Sequence, residues 1–403
     1  MSDSVSGGGA ELILKGGHVI DPASGTSGLA DVAIGDGRVL AIGSALPVEG
    51  GTTVLDVTGR FVVPGIVDMH AHVFHTHRRS WLSLEPRVNT FSSGVTTVVD
   101  AGTSGWRDFV EFRTEVIERA KIRVLAFVNI VGSGMGGEWE HEAREMSPGL
   151  AAAMAAEHRD VVVGIKTAHY WANRPFDADH QPWTAVDAAV AAGERCGLPV
   201  MVDFYPWLPE RPYPELILKR LRPGDIHTHV FAQQFPIIDD QGKVFDHLFQ
   251  ARERGVIFDL GHGAASFWFR NAVPAIAQGF VPDSISTDLH TGNVNGPVVD
   301  MATTMGKMLA TGLTLEDVIA RSTVAPAREI GRPELGTLRV GGEADVAVFA
   351  VDEGSFSFVD CGKTTLTGNR RLRCVLTVRA GEIAYNPDGL GLPAWETAGA
   401  SRV

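Results

Sequence analysis

The feature that most restricts this chain is an alternation repeated eight times between about residue 62 and residue 290. A short apolar, β-branched run is followed each time by a longer stretch, often Ala-rich and amphipathic. The runs are VVPGIVDMH, GVTTVVDAG, IRVLAFVNI, VVVGIKTA, LPVMVDF, GDIHTHVF, GVIFDLG and DSISTDLH; SPGLAAAMAAEH and TAVDAAVAAGERCG are two of the helical stretches. Strand–helix alternation imposes parallel pairing, because the helix carries the chain back to the starting edge. Eight such units predict a closed (β/α)8 barrel over residues 63–344, with its site at the C-terminal ends of the strands.

The ends of the chain have a different texture. LILKGGHVI, DVAIGDGRVLAIG and TTVLDVTGRFVV near the start, and GEADVAVFAVD and LRCVLTVRAGEIAY near the other end, are short strands separated by turns. Residues 10–62 and 345–390 are expected to combine into one small β-sandwich. Residues 1–9 are expected to be disordered and 391–403 to form a loose tail.

At 403 residues the chain is long enough for a barrel and a smaller module. A net charge of −13 and the lack of a basic stripe argue against nucleic acid. Cys196, Cys361 and Cys374 are widely spaced, which excludes a disulfide framework and suits a reducing compartment. The polar, Gly-rich start lacks the apolar run of a signal peptide, and no stretch matches a membrane span. A cytoplasmic protein is the expectation.

Metal-capable side chains fall at one end of the predicted strands. His70 and His72 end the first run, Lys166 the fourth, and Asp288 the eighth; Asp203 is near the end of the fifth and His229 is on the sixth. His70 and His72 are two apart on a strand, so both rings face one side, and imidazole suits zinc and similar ions. A Lys closing an apolar strand is costly if charged and unpaired. Lys166 is therefore a neutral amine, an ion-paired ammonium or a carbamate. His229 is nearer its strand end than His227, which reads as a packed or hydrogen-bonded ring. Asp288 has the position of a general base.

Taken together these residues resemble the amidohydrolase superfamily. The likeness runs through FVVPGIVDMHAHVF, SSGVTTVVDAG, VGIK, THVF and STDLH to TLEDVIARSTVAPAREIGRPELGTLRVGGEADVAVF, nearly the whole chain. Within it the chain is most similar to the dihydroorotase-like branch, and there to the bacterial deacetylases and acyl-ester hydrolases. The resemblance implies one or two divalent metals, usually zinc. His70, His72 and Asp288 would hold one, Lys166 as a carbamate would bridge, and Asp203 with His229 would hold the other. The family's strand-five ligand is a histidine, whereas MVDFYPWL places Asp203 there. Ligation by Asp203 is the favoured reading; an Asp203–Lys166 ion pair with a single metal is the alternative.

The expected reaction is cleavage of an amide or ester bond of a small molecule by metal-activated water, with Asp288 carrying the proton to the leaving group. A ring-opening cyclic amidase is the first alternative, and a metal-free binding or assembly protein the second. His262, after the seventh strand, and His169, with Tyr170 and Trp171, are candidate substrate contacts. The Gly-rich VGSGMGGEWEH is a candidate lid, and Arg78, Arg79, Arg174, Arg211 and Arg270 are possible carboxylate anchors. The resemblance also implies a homo-oligomer.

Overall fold

The computed structural model describes residues 9–76, 82–172 and 174–396. The expected disorder of the first residues and Arg78 and Arg79 lie outside the described residues, as does most of the expected tail. Five strands open the chain: β1 (Leu12–Asp21), β2 (Thr26–Gly35), β3 (Arg38–Gly43), β4 (Thr53–Asp56) and β5 (Phe61–Pro64). The barrel follows, with β6 (Ile66–Ala71), β7 (Val95–Gly105), β8 (Arg123–Asn129), β9 (Val162–Thr167), β10 (Val200–Val202), β11 (Ile226–His227) and β12 (Ile257–Phe258). Its helices are α1 (Phe109–Glu115), α2 (Pro148–Glu157), α3 (Thr184–Cys196), α4 (Tyr213–Glu215), α5 (Asp246–Glu253), α6 (Phe269–Ala277), α7 (Met301–Ala310), α8 (Leu315–Ser322) and α9 (Val324–Glu329). Three strands close the chain: β13 (Val346–Val359), β14 (Thr365–Arg379) and β15 (Glu382–Tyr385).

β6 to β12 pair in sequence order, each parallel to the next. The eighth run, DSISTDLH, completes the ring through isolated parallel bridges, Asp259 to Ser284 on one side and Ala71 to Leu289 on the other. Every residue of β6, β7 and β9 is buried, as a parallel sheet covered on both faces demands. Val67, Val99, Leu125, Val163, Met201 and Ile226, from six successive strands, share one apolar cluster. Strands from opposite sides of the sheet meet in that way only inside a closed barrel. Ala327 and Ile330 of the α9 region join the same cluster and plug one end.

The helices follow from local chemistry. Ser147 accepts a hydrogen bond from Leu150 N at 3.3 Å and Pro148 follows it, which starts α2. α3 buries Ala185, Ala189, Ala192 and Cys196, a stripe of small residues that lets the helix lie close to the strands.

The two ends of the chain do combine into one module. Its strands form a single path, β15-β14-β13-β5-β1-β2-β3, with β4 beside β1. The join is antiparallel pairing of β13 with β5 from Val346–Pro64 to Phe349–Phe61. Leu14, Val32, Val39, Leu376 and Val378 share a core, so the sheet folds over onto itself. The boundary at residue 345 is less clean than expected. The distal half of the β13–β14 hairpin leaves the module, and Phe358, Leu372 and Cys374 enter the barrel's main core against α7.

Candidate metal centre

The strand ends meet around a cavity of about 480 Å³, lined among others by His70, His72, Lys166, Asp203, His229 and Asp288. All six expected residues are therefore brought together from β6, β9 and the segments after β10, β11 and β12. His229 and Asp288 sit at φ 64° and 51°, and His169 at 51°. Left-handed backbone is costly for such residues and concentrates where a site over-determines it.

His70, His72 and Asp288 form the tightest group. One ligand atom from each lies within 4.8 Å of the others. Asp288 Oδ1 is 3.0 Å from His72 Nε2 and 3.5 Å from His70 Nε2. Lys166 Nζ is 3.5 Å from His70 Nε2. On the opposite wall Asp203 Oδ2 is 3.6 Å from His229 Nε2 and 3.4 Å from His169 Nδ1. Asp203 thus pairs with two histidines, and no ion pair with Lys166 forms among the described residues.

Supporting groups set the ring tautomers. Thr228 Oγ1 donates to Asp259 Oδ2 at 2.7 Å. Its proton is therefore committed, and it accepts from His70 Nδ1 at 2.9 Å. His229 Nδ1 donates to the Gly261 carbonyl at 2.6 Å. With Nδ1 so engaged, Nε2 is the ring atom that each presents to the cavity, the one a metal would take. His72 Nδ1 is held by Thr103 Oγ1 at 2.7 Å. Gly261 lies at φ 47°, and a Cβ there would come within 2.2 Å of Thr228 Oγ1 and 2.8 Å of His229 Nδ1, so only glycine permits this approach.

Charge follows from burial and these neighbours. Burial holds the His70 imidazolium down to about 3, helped by Lys166. Burial likewise lowers the Lys166 ammonium, which nearby Asp203 and Asp288 partly offset. Burial works against the Asp288 carboxylate, yet His70 and His72 keep it well below its usual range. Asp203 is held below its usual range against burial by His169, His229 and Lys166. Imidazole nitrogens beside ionised carboxylates form a donor set that fits a divalent cation.

Other expectations fare differently. His227 is fully buried against Tyr213, Phe235 and Phe258, and among the described residues neither ring nitrogen meets a partner in good hydrogen-bond geometry, so it is a packed ring. His262 is also fully buried and does not line the cavity. It donates from Nδ1 to Gly263 O at 3.0 Å and accepts from Lys307 Nζ at 2.7 Å. The tight Gly-flanked turn points it behind the wall, not into the mouth. His169 lines the cavity and Tyr170 and Trp171 do not. Arg211 is buried on the Tyr170 and Trp171 carbonyls, Arg174 pairs with Glu138, and Arg270 covers Trp268. None of these three lines the cavity. From the Gly-rich segment only Met135 does.

Several groups were not anticipated. Asp259 accepts from Thr228, Ser284 and Ser286. Asp100 accepts from Val73 N and Thr103 N at 2.8 and 2.7 Å. Asp68 accepts from Thr287 N and Oγ1 at 3.0 and 2.5 Å. His290 lines the cavity beside His72. Each of the three aspartates ends or interrupts an apolar run, and that was the available signal.

Residues 269–381 match the model of the Amidohydrolase family. The chain is 34% identical over 343 residues to a deacetylase from Agrobacterium fabrum, covering 82% of this chain and 80% of the relative. It is similar to the solved structure of an adenine deaminase, with TM-score 0.84, 29% identity and coverage of 94% and 100%. It is also similar to that of a dihydroorotase, with TM-score 0.80, 30% identity and coverage of 93% and 98%. No helix among the described residues is long and apolar enough to cross a membrane. With the strand-end donor set already in place, these likenesses make the chain a member of the amidohydrolase superfamily on its dihydroorotase-like branch, a metal-dependent hydrolase of C–N bonds.

Proposed function

We propose that the enzyme removes an acyl group from a small N-acyl or aminoacyl compound, or from an acyl ester, with zinc at the strand ends. The observation that carries the proposal is the His70–His72–Asp288 group, with its ligand atoms within 4.8 Å, facing Lys166, Asp203 and His229 across one cavity. The deacetylase relative supports the acyl-group reading. The dihydroorotase likeness supports a second reading, opening of a cyclic amide.

In this proposal His70, His72 and Asp288 hold one ion, and Asp203 and His229 a second. Lys166, as a carbamate, would supply oxygen ligands to them. Its burial favours the uncharged amine, and that is the form that combines with CO2, releasing a proton. A divalent ion bound here supplies Lewis acidity, which acidifies water and polarises a carbonyl. Asp288 Oδ2, free of the His70 and His72 contacts made through Oδ1, takes the proton of the attacking water and delivers it to the departing nitrogen or oxygen. Gln233, Gln234, Tyr205 and His169 line the rest of the cavity and are available to the substrate. They replace His262 as the candidate contacts. A cytoplasmic homo-oligomer without nucleic-acid partners completes the proposal, and light scattering tests its oligomeric part.

The test has two measurements. Metal per chain is determined by mass spectrometry on protein purified without chelator, with native mass spectrometry for one added CO2. Turnover is then compared on N-acyl amino acids, acyl esters, hydantoins and dihydroorotate. Two ions and acyl release are expected. Turnover confined to the cyclic compounds selects the second reading. No metal after incubation with zinc and bicarbonate sinks both.

A further inference from the structure

A second cavity of about 510 Å³ lies between α7 and the tip of the β13–β14 hairpin. Its walls are largely apolar: Pro297 and Val299 from one loop, Phe358 and Val359 from the hairpin. Lys307, a buried polar side chain on the wall, is 1% exposed. Its Nζ donates to the Pro297 carbonyl at 2.7 Å and to His262 Nε2 at 2.7 Å. His262 has spent its own ring proton on Gly263 O, so it serves Lys307 only as a neutral acceptor. No carboxylate within ion-pair distance of Lys307 exists among the described residues. Asp360 also borders the cavity, but its oxygens are taken by Phe269 N, Thr364 N and Thr364 Oγ1. The result is a buried cation with two neutral acceptors, a third N–H to place and no carboxylate in direct contact among the described residues, Asp360 and Asp300 acting on it only from a distance, beside an apolar space of ligand size. Burial lowers the ammonium to about 8, which leaves it mostly protonated at neutral pH.

We propose that this cavity is a second ligand site, distinct from the metal centre, which takes a small monocarboxylate with an apolar body, its head on Lys307 and its body against Phe358 and Val359. Lys363 at the mouth adds a second cation. The site abuts the first one. Ala264 belongs to the walls of both cavities, and the Gly261 carbonyl of the same turn orients His229. A ligand on Lys307 therefore presses on the turn that sets a metal-site ring.

The probe is 4-fluorobenzoate, followed by fluorine NMR on the full-length protein, with 4-fluorobenzamide as the uncharged control. Saturable binding of the acid, at least about tenfold stronger than of the amide, is expected. Lys307→Met should weaken it about tenfold or more. Val359→Trp fills the cavity from a residue that is 44% exposed and leaves the lysine in place, so it should abolish binding in a protein of unchanged Tm. Asp288→Asn should leave binding intact. Equal binding of acid and amide, binding that survives both Lys307→Met and Val359→Trp, or binding lost only in Asp288→Asn would each overturn the proposal, the last placing the acid at the metal centre.

Discussion

Asp288 is where the site's chemistry concentrates. It touches His70 and His72 and stays ionised despite burial. On the proposed roles of Asp288 as ligand and base, Asp288→Asn should lower kcat by about 10²-fold or more; kcat within twofold of the parent would refute the assignment. Thr228 acts one step back, fixing the His70 tautomer while Asp259 holds its hydroxyl. Thr228→Val should weaken metal binding about 10- to 100-fold, read by competition with a chromophoric chelator at unchanged Tm. Lys307 gives a pH signature. Its folded-state value, about 8, is below the ordinary 10.5. Between those values the unfolded chain binds more protons, so stability rises with pH across that window, by up to about 3 kcal/mol in full. Urea denaturation at pH 8 and pH 10 should show a rise in the parent that is clearly smaller in Lys307→Met, the remainder coming from Lys166, which burial also lowers. His70, His72, Lys166, His229 and Asp288 were legible because each lies at or near the end of a recognisable run. Thr228 and Asp259 were legible only as ordinary strand residues, since a hydrogen-bond chain between neighbouring strands leaves no periodic trace.

At the level of elements, the strand runs were read at the right places, but strand length was not. β11 and β12 are two residues long, and the eighth strand is reduced to isolated bridges. Alternation of apolar runs reports which segments enter the barrel; how far each ladder extends is settled by its neighbours. β7 shows the same dependence. Gly102 sits at φ 81°, and a Cβ there would lie 2.6 Å from Lys166 Cβ on a strand two places away in the barrel. Gly102→Ala should destabilise the protein by about 1–3 kcal/mol in chemical denaturation and lower kcat by displacing Lys166. A variant of unchanged stability and activity would show that the lysine has room to move. His262 is the complementary case. Its place after β12 suggested the cavity mouth, but the left-handed Gly261 and Gly263 turn it toward Lys307.

Across the whole molecule, barrel and terminal module share ion pairs and core residues. Arg123 of β8 pairs with Glu343 and Asp345 at 2.5 and 2.7 Å, and Arg379 of β14 reaches the same two carboxylates. Phe349 of β13 pairs with β5 in the module yet is buried in the barrel's main core. Phe349→Ala should cost about 3–5 kcal/mol of global stability, with a single cooperative transition by two independent probes. A separate early transition for the module would contradict this coupling.

Local periodicity suffices for the architecture and for the common location of the proposed donor set. Strand–helix alternation restricts the chain to a parallel barrel, and the strand ends of a barrel share one face, so six side chains far apart in the chain had one place to meet. Tertiary structure alone decided which atoms face the cavity. It paired Asp203 with His169 and His229 instead of Lys166, set the tautomers of His70 and His229, withdrew His262 behind the wall and left Lys307 buried with no carboxylate in direct contact among the described residues. The reason is physical: periodicity encodes the environment of a segment, whereas a ring's proton or a carboxylate's partner depends on distances of 3–4 Å between segments that only the folded chain brings together.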